Sequence, residues 1–136
     1  MKKLILISLI LIGCGKKTYT PRHYIEPIFV TYVGEFESAY GQPIGIMVIE
    51  FGPTPLGAIG KCNTFGEQKV IWIDKEVFSK VSETIQRVTI FHELGHCALN
   101  RAHAEAEAFS IMAPGLNDNL DIYETQWPEL LYELFN

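Results

Sequence analysis

Positive charge is scarce in this chain. Its 136 residues carry 11 Lys and Arg against 16 Asp and Glu, a formal net charge of −5 at neutral pH. Such a balance disfavours nucleic acid as a partner and leaves no polybasic surface for anionic lipid. Membrane-spanning length is missing too. Leu4 to Ile12, behind the basic start Met1-Lys2-Lys3, is almost unbroken aliphatic residue. A span needs about 20 such residues, so this run has the length of a signal-peptide core instead. No internal repeat or low-complexity tract is visible. Cysteine is rare, at Cys14, Cys62 and Cys97, and histidine occurs only as His23, His92, His96 and His103.

The apolar run closes on Leu11-Ile12-Gly13-Cys14, which resembles the bacterial lipobox, whose cysteine is lipidated and becomes the mature N-terminus. An ordinary secretory signal cleaved nearby is the plainer alternative. The resemblance implies a lipoprotein signal peptide over 1–13, a lipidated N-terminus and tether over 14–27, and a domain over 28–136. It implies a bacterial cell envelope location, with the membrane held through acyl chains on Cys14 alone. Gly15, rather than aspartate, follows the cysteine, which by the same analogy favours the outer membrane or periplasmic face. Without residues 1–13 the chain keeps 123 residues, enough for one domain, and nine basic against 16 acidic side chains, a balance of −7. No recognisable propeptide separates Cys14 from that domain. With Cys14 committed to lipid, Cys62 and Cys97 remain as one pair, either a disulfide of an oxidising compartment or two reduced, buried thiols. The disulfide is expected. It would close a loop of about 36 residues and stabilise the fold by roughly 3–4 kcal/mol in the chain-entropy model.

The chemistry concentrates in His92-Glu93-Leu94-Gly95-His96, an H-E-x-x-H motif within the proline-free run Ser82 to Leu99. On an α-helix, positions four apart differ by about 40° of rotation and roughly 6 Å of rise. His92 and His96 can therefore face one ion. Glu93 is turned about 100° from His92, too far round to be a ligand but placed to reach a water on the same ion. Two imidazoles, an open metal position and an adjacent carboxylate are what zinc-dependent peptide hydrolysis requires. His103 follows seven positions after His96, and Ser110-Ile111-Met112 comes shortly after that.

This order resembles the metzincin clan of zinc metallopeptidases, whose long motif H-E-x-x-H-x-x-G-x-x-H supplies three zinc histidines above a methionine-containing turn. The likeness covers roughly 71–112 and looks closest to small bacterial lipoproteins of metallopeptidase type with an H-E-L-G-H-C signature. It implies His92, His96 and His103 as ligands of one zinc ion, Glu93 as general base and acid, and Met112 as the residue of the turn. One departure needs a physical account. Leu99 stands where the clan has glycine, and the third histidine comes one residue late. Asparagine, after glycine, most readily takes the left-handed conformation that lets a chain leave a helix. Asn100 lies three residues before His103, so the expectation is a longer helix with Asn100 making the exit. Glu105 and Glu107 are the rival third ligands.

Elsewhere, Ile28 to Tyr40 has helical spacing that stops at Gly41, and Ile44 to Phe51 reads as a buried strand. Gly52 to Gly57 is a loop, and Lys69 to Asp74 a second strand. Asp74 to Lys80 reads as a short helical turn capped by Asp74, and Ser82 caps the main helix. Tyr123 to Phe135 has helical spacing with Pro128 near its start, read chiefly as closing the core; no spacing assigns Tyr123 to catalysis. His23 reads as a solvated surface residue. The fold class is α+β: a small metzincin-like domain with a short mixed sheet, a backing helix, a central zinc-binding helix, a Met-turn and a C-terminal helix. The expected function is a membrane-anchored, monomeric zinc endopeptidase acting on peptide or protein outside the cytoplasm, the ion-activated water being the nucleophile. An extended substrate would add to a strand edge, with Val70–Ile73 the candidate. The alternatives are a non-catalytic, zinc-stabilised lipoprotein acting as a binding module, and a cell-wall peptide hydrolase.

Overall fold

The structure is a computed structural model that describes residues 20–136. The signal segment, Cys14 and the start of the tether lie outside the described residues. Strand β1 (Tyr24–Ile25) leads through a 3-10 turn (Pro27–Phe29) into helix α1 (Val30–Tyr40). Strands β2 (Met47–Phe51), β3 (Gly60–Phe65) and β4 (Gln68–Ile73) follow, then helices α2 (Lys75–Phe78) and α3 (Glu83–Cys97). Two helices, α4 (Ile122–Thr125) and α5 (Trp127–Phe135), close the chain. The domain is α+β, with one four-stranded mixed sheet in the order β1-β2-β4-β3. Strands β1, β2 and β4 run parallel, and β3 is antiparallel to β4. No helix among the described residues is long and apolar enough to cross a membrane.

Most elements follow from local chemistry. Helix α1 ends at Gly41, whose φ of 82° is open to glycine at little cost. The Asp74 carboxylate accepts the Val77 N–H to cap α2, and the Ser82 hydroxyl accepts the Ile85 N–H to cap α3. Helix α3 is buried on several sides and joins α1 and the sheet in one core with Phe36, Ile49, Ile71, Ile73, Phe91 and Leu94. Aromatic rings fill it, with Phe36 edge-on to both Phe91 and Phe135 at 5.2 Å.

Three expectations change. The segment read as tether enters the sheet: Tyr24 and Ile25 pair with Val48 and Ile49, and the Arg22 N–H donates to Gln68 Oε1 at 2.6 Å. The Val70–Ile73 stretch is not an edge, because β4 lies between β2 and β3. The margin on that side is β3, which sequence patterning did not reveal. The terminal helix is broken at Gln126, whose φ of −123° and ψ of 28° lie outside the helical region.

Candidate metal centre

The first two histidines stand one turn apart on α3, and the third reaches back from the segment after it. His92 Nε2 lies 3.1 Å from His96 Nε2 and 3.2 Å from His103 Nε2. One ring nitrogen from each of the three lies within 4.8 Å of the others, the one such His, Cys, Asp or Glu group among the described residues. Tetrahedral zinc with Zn–N bonds of about 2.0–2.1 Å holds its nitrogens about 3.3–3.4 Å apart. The two distances from His92 are within a few tenths of an ångström of that. Glu105 and Glu107 are not part of it.

The other ring nitrogens explain why the His92–His96 contact cannot be an ordinary hydrogen bond. His92 Nδ1 is 2.7 Å from the Ile111 carbonyl, and His96 Nδ1 is 2.7 Å from the Arg101 carbonyl. A carbonyl only accepts, so each Nδ1 carries the proton and each Nε2, in a neutral ring, presents a lone pair. Neutrality is favoured: burial, together with the neighbouring imidazoles, pushes His92 down to about 4. Burial lowers His96 as well. Two lone pairs 3.1 Å apart repel unless a cation sits between them. The donor set therefore fits a divalent metal ion, with Nδ1–H donated to carbonyls as metal-bound histidines usually do.

The chain delivers His103 by an unusual exit from α3. Asn100 has φ of 55°, the sole non-glycine residue with positive φ among those described. Beyond it the Arg101 N–H returns to the Gly95 carbonyl at 2.9 Å. The Lys69 ammonium, from β4, donates to the Cys97 carbonyl and to Asn100 Oδ1. It thus satisfies a carbonyl left open at the helix end and holds the turning residue at once.

Glu93 is buried at 6 % exposure, on the β3 side of α3. The Cys62 N–H donates to its Oε2 at 2.7 Å. Burial raises its carboxyl to about 7, against the lowering pull of the Cys62 amide and the Lys61 charge. A Cβ on Gly60 would stand 2.7 Å from Glu93 Cγ, so only glycine lets β3 lie this close over the carboxylate. The Cys62–Cys97 disulfide ties the same strand to the end of α3, with Cα atoms 5.7 Å apart. Beneath the helix, Met112 is fully buried. A Cβ on Gly95 would meet its Sδ at 2.3 Å, so the thioether occupies the space that glycine leaves.

The histidines and Glu93 open into a cavity of about 390 Å³, lined also by Ile59, Gly60, Val88, Ala113 and Leu116. Tyr123 is apart from it: the ring is buried and its hydroxyl accepts the Asn117 N–H at 2.8 Å. His23 is exposed, as expected for a surface residue, and its Nδ1 lies 3.4 Å from the Met47 amide. Sequence reasoning reached the three histidines, Glu93, Met112 and both bridging cysteines. It missed Gly60 and Lys69, which act through elements far apart in the chain, and the two carbonyls behind the rings, which depend on how the irregular segment after α3 folds back. Comparison with known proteins gives no matching family model, no similar curated protein and no similar solved structure.

Proposed function

We propose that the chain is a zinc-dependent endopeptidase of metzincin-like design, hydrolysing peptide bonds outside the cytoplasm and anchored to the bacterial envelope through lipid on Cys14. One observation carries the reading. Three imidazole nitrogens converge, two with their protons turned away, beside a buried carboxylate held in its own hydrogen bond. Zinc, when bound, would supply a Lewis acid for the carbonyl and acidify a water molecule.

The protein's own part centres on Glu93. One of its oxygens is held by the Cys62 amide, leaving the other to take a proton from water as the oxygen attacks the scissile carbonyl. That proton passes to the departing amine as the C–N bond breaks. In the metal-free protein burial raises this carboxyl to about 7, a departure of the kind that marks groups exchanging protons near neutrality. A purely structural metal site has no need of such a group, which favours catalysis over a binding module. The open margin of β3 borders the cavity at Gly60 and Lys61, which supports an extended peptide lying along it by strand addition. Met112 beneath α3 fits the role of the turn methionine.

The test uses the protein from which the signal segment has been removed. Chelator-sensitive cleavage of denatured protein, restored by zinc, is expected. Glu93→Gln should keep one metal ion and lose at least 100-fold in turnover, on the order of a missing general base. An unaltered rate in Glu93→Gln would remove the proposed mechanism. Release of peptides from purified cell wall, with denatured protein left intact, would redirect the same chemistry to a wall hydrolase.

A further inference from the structure

Backbone carbonyls, not side chains, set the direction of His92 and His96. A carbonyl aims a ring only as well as its own segment is held. Ile111 and Arg101 both lie in the stretch between α3 and α4, which has no regular secondary structure. The last turn of α5 holds both.

Glu133 is the junction. Its Oε1 accepts from Arg101 Nη2 at 2.8 Å, and its Oε2 accepts from Ser110 Oγ at 2.7 Å. Arg101 Nη1 also donates to the Glu133 and Leu134 carbonyls, at 2.9 and 2.7 Å, capping the end of the helix. On the other arm, Ser110 Oγ accepts the Met112 N–H at 2.9 Å, which brackets the Ile111 carbonyl. The Met112 carbonyl then accepts the Ala104 N–H at 2.9 Å, one residue from His103. Each of the three metal-facing rings is thus within a short chain of hydrogen bonds from a single carboxylate.

We infer that Glu133, acting through Arg101 and Ser110, is a positioning residue for the metal centre: it fixes the two carbonyls that orient His92 and His96 and the strap that carries His103. The inference rests on the metal reading above but goes beyond it, since Glu133 touches no ligand. As an ion pair, Arg101–Glu133 is about one-third exposed on each side and adds little to stability. Its value lies in geometry. Partners behind metal ligands commonly change metal affinity by 10–100-fold when removed.

The experiment measures zinc affinity by competition with a chromophoric chelator, together with the visible spectrum of the cobalt(II)-loaded protein. Glu133→Ala is compared with wild type, with Ser110→Ala as a milder cut of one arm. Glu35→Ala, which removes a similarly exposed ion pair with Arg87, is the control. Expected is about a tenfold loss of zinc affinity and an altered cobalt spectrum in Glu133→Ala, and a smaller loss in Ser110→Ala. Metal-free unfolding should stay close to wild type, and the Glu35→Ala spectrum should be unchanged. Glu133→Ala combined with Ser110→Ala should lose less affinity than the sum of the two single losses, because both cuts fall in one network. Wild-type affinity and spectrum in both variants would overturn the inference, as would an affinity loss matched by an equal loss of metal-free stability. Should wild type itself take up neither metal, the metal centre fails and this role fails with it.

Discussion

Glu93 and the two helix histidines pull stability in opposite directions with pH. The Glu93 carboxyl is raised from 4.5 to about 7, so its contribution is complete below about 4.5 and lost as pH climbs toward 7. His92 is depressed from 6.5 to about 4, so its contribution is complete above 6.5 and lost as pH falls through 4. His96 is shifted in the same direction as His92. In the metal-free protein the two histidines outweigh one carboxyl, and stability should rise with pH between about 4.5 and 6.5. Glu93→Gln should steepen that rise by up to about 1.4 kcal/mol per pH unit, measured by urea unfolding across the window. Parallel curves would mean that Glu93 is not protonated in the fold. The location of these groups was legible because ligand spacing on a helix is a local property. Asn100 was legible for the same reason: few residues accept a positive φ, and it stood at the right offset from His103. The roof over Glu93 was not. Gly60 and the Cys62 amide reach the carboxylate only through the placement of a strand some 30 positions earlier in the chain.

Strand β3 is the element that patterning could not find. Gly-Lys-Cys-Asn-Thr-Phe shows no alternation of apolar and polar residues, because one side of this edge faces the cavity and a disulfide rather than a hydrophobic core. Strand β4 was easier to read but was given the wrong place, since a β-branched run states that a strand is buried without saying which neighbours bury it. The disulfide joins what the strand lacks in packing. Replacing Cys62 and Cys97 by serine should cost about 3–4 kcal/mol in denaturant unfolding, as expected for a loop of this length. It should also lower turnover more than zinc content, because β3 brings the Cys62 amide to Glu93 while the histidines belong to other segments. Equal losses in both would place the bridge's role at the ligands instead. Helix α5 is the opposite case. Its amphipathic spacing was plain, and Leu130 and Leu134 are buried as that spacing requires. The polar work of Glu133 left no trace in the periodicity.

The whole domain should feel the metal. The three imidazoles come from α3 and from the segment that follows it, so a bound ion joins parts that unfolding separates. Zinc held at 100 times its dissociation constant adds about 2.7 kcal/mol, which for a domain of this size raises the melting temperature by about 10 °C. A chelator should reverse the shift, and His103→Ala should lose most of it. A melting temperature indifferent to zinc would argue against an ion bridging these segments.

The sheet margin that would admit a substrate is also a hazard. A free strand edge can accept an extended chain, a second copy of the protein included, and open edges of this kind seed fibrils. Strand β3 is six residues long and carries Lys61 near its start. To pair there, a second copy would have to bury that ammonium group in a new ladder. A lysine on so short an edge therefore discourages pairing between copies.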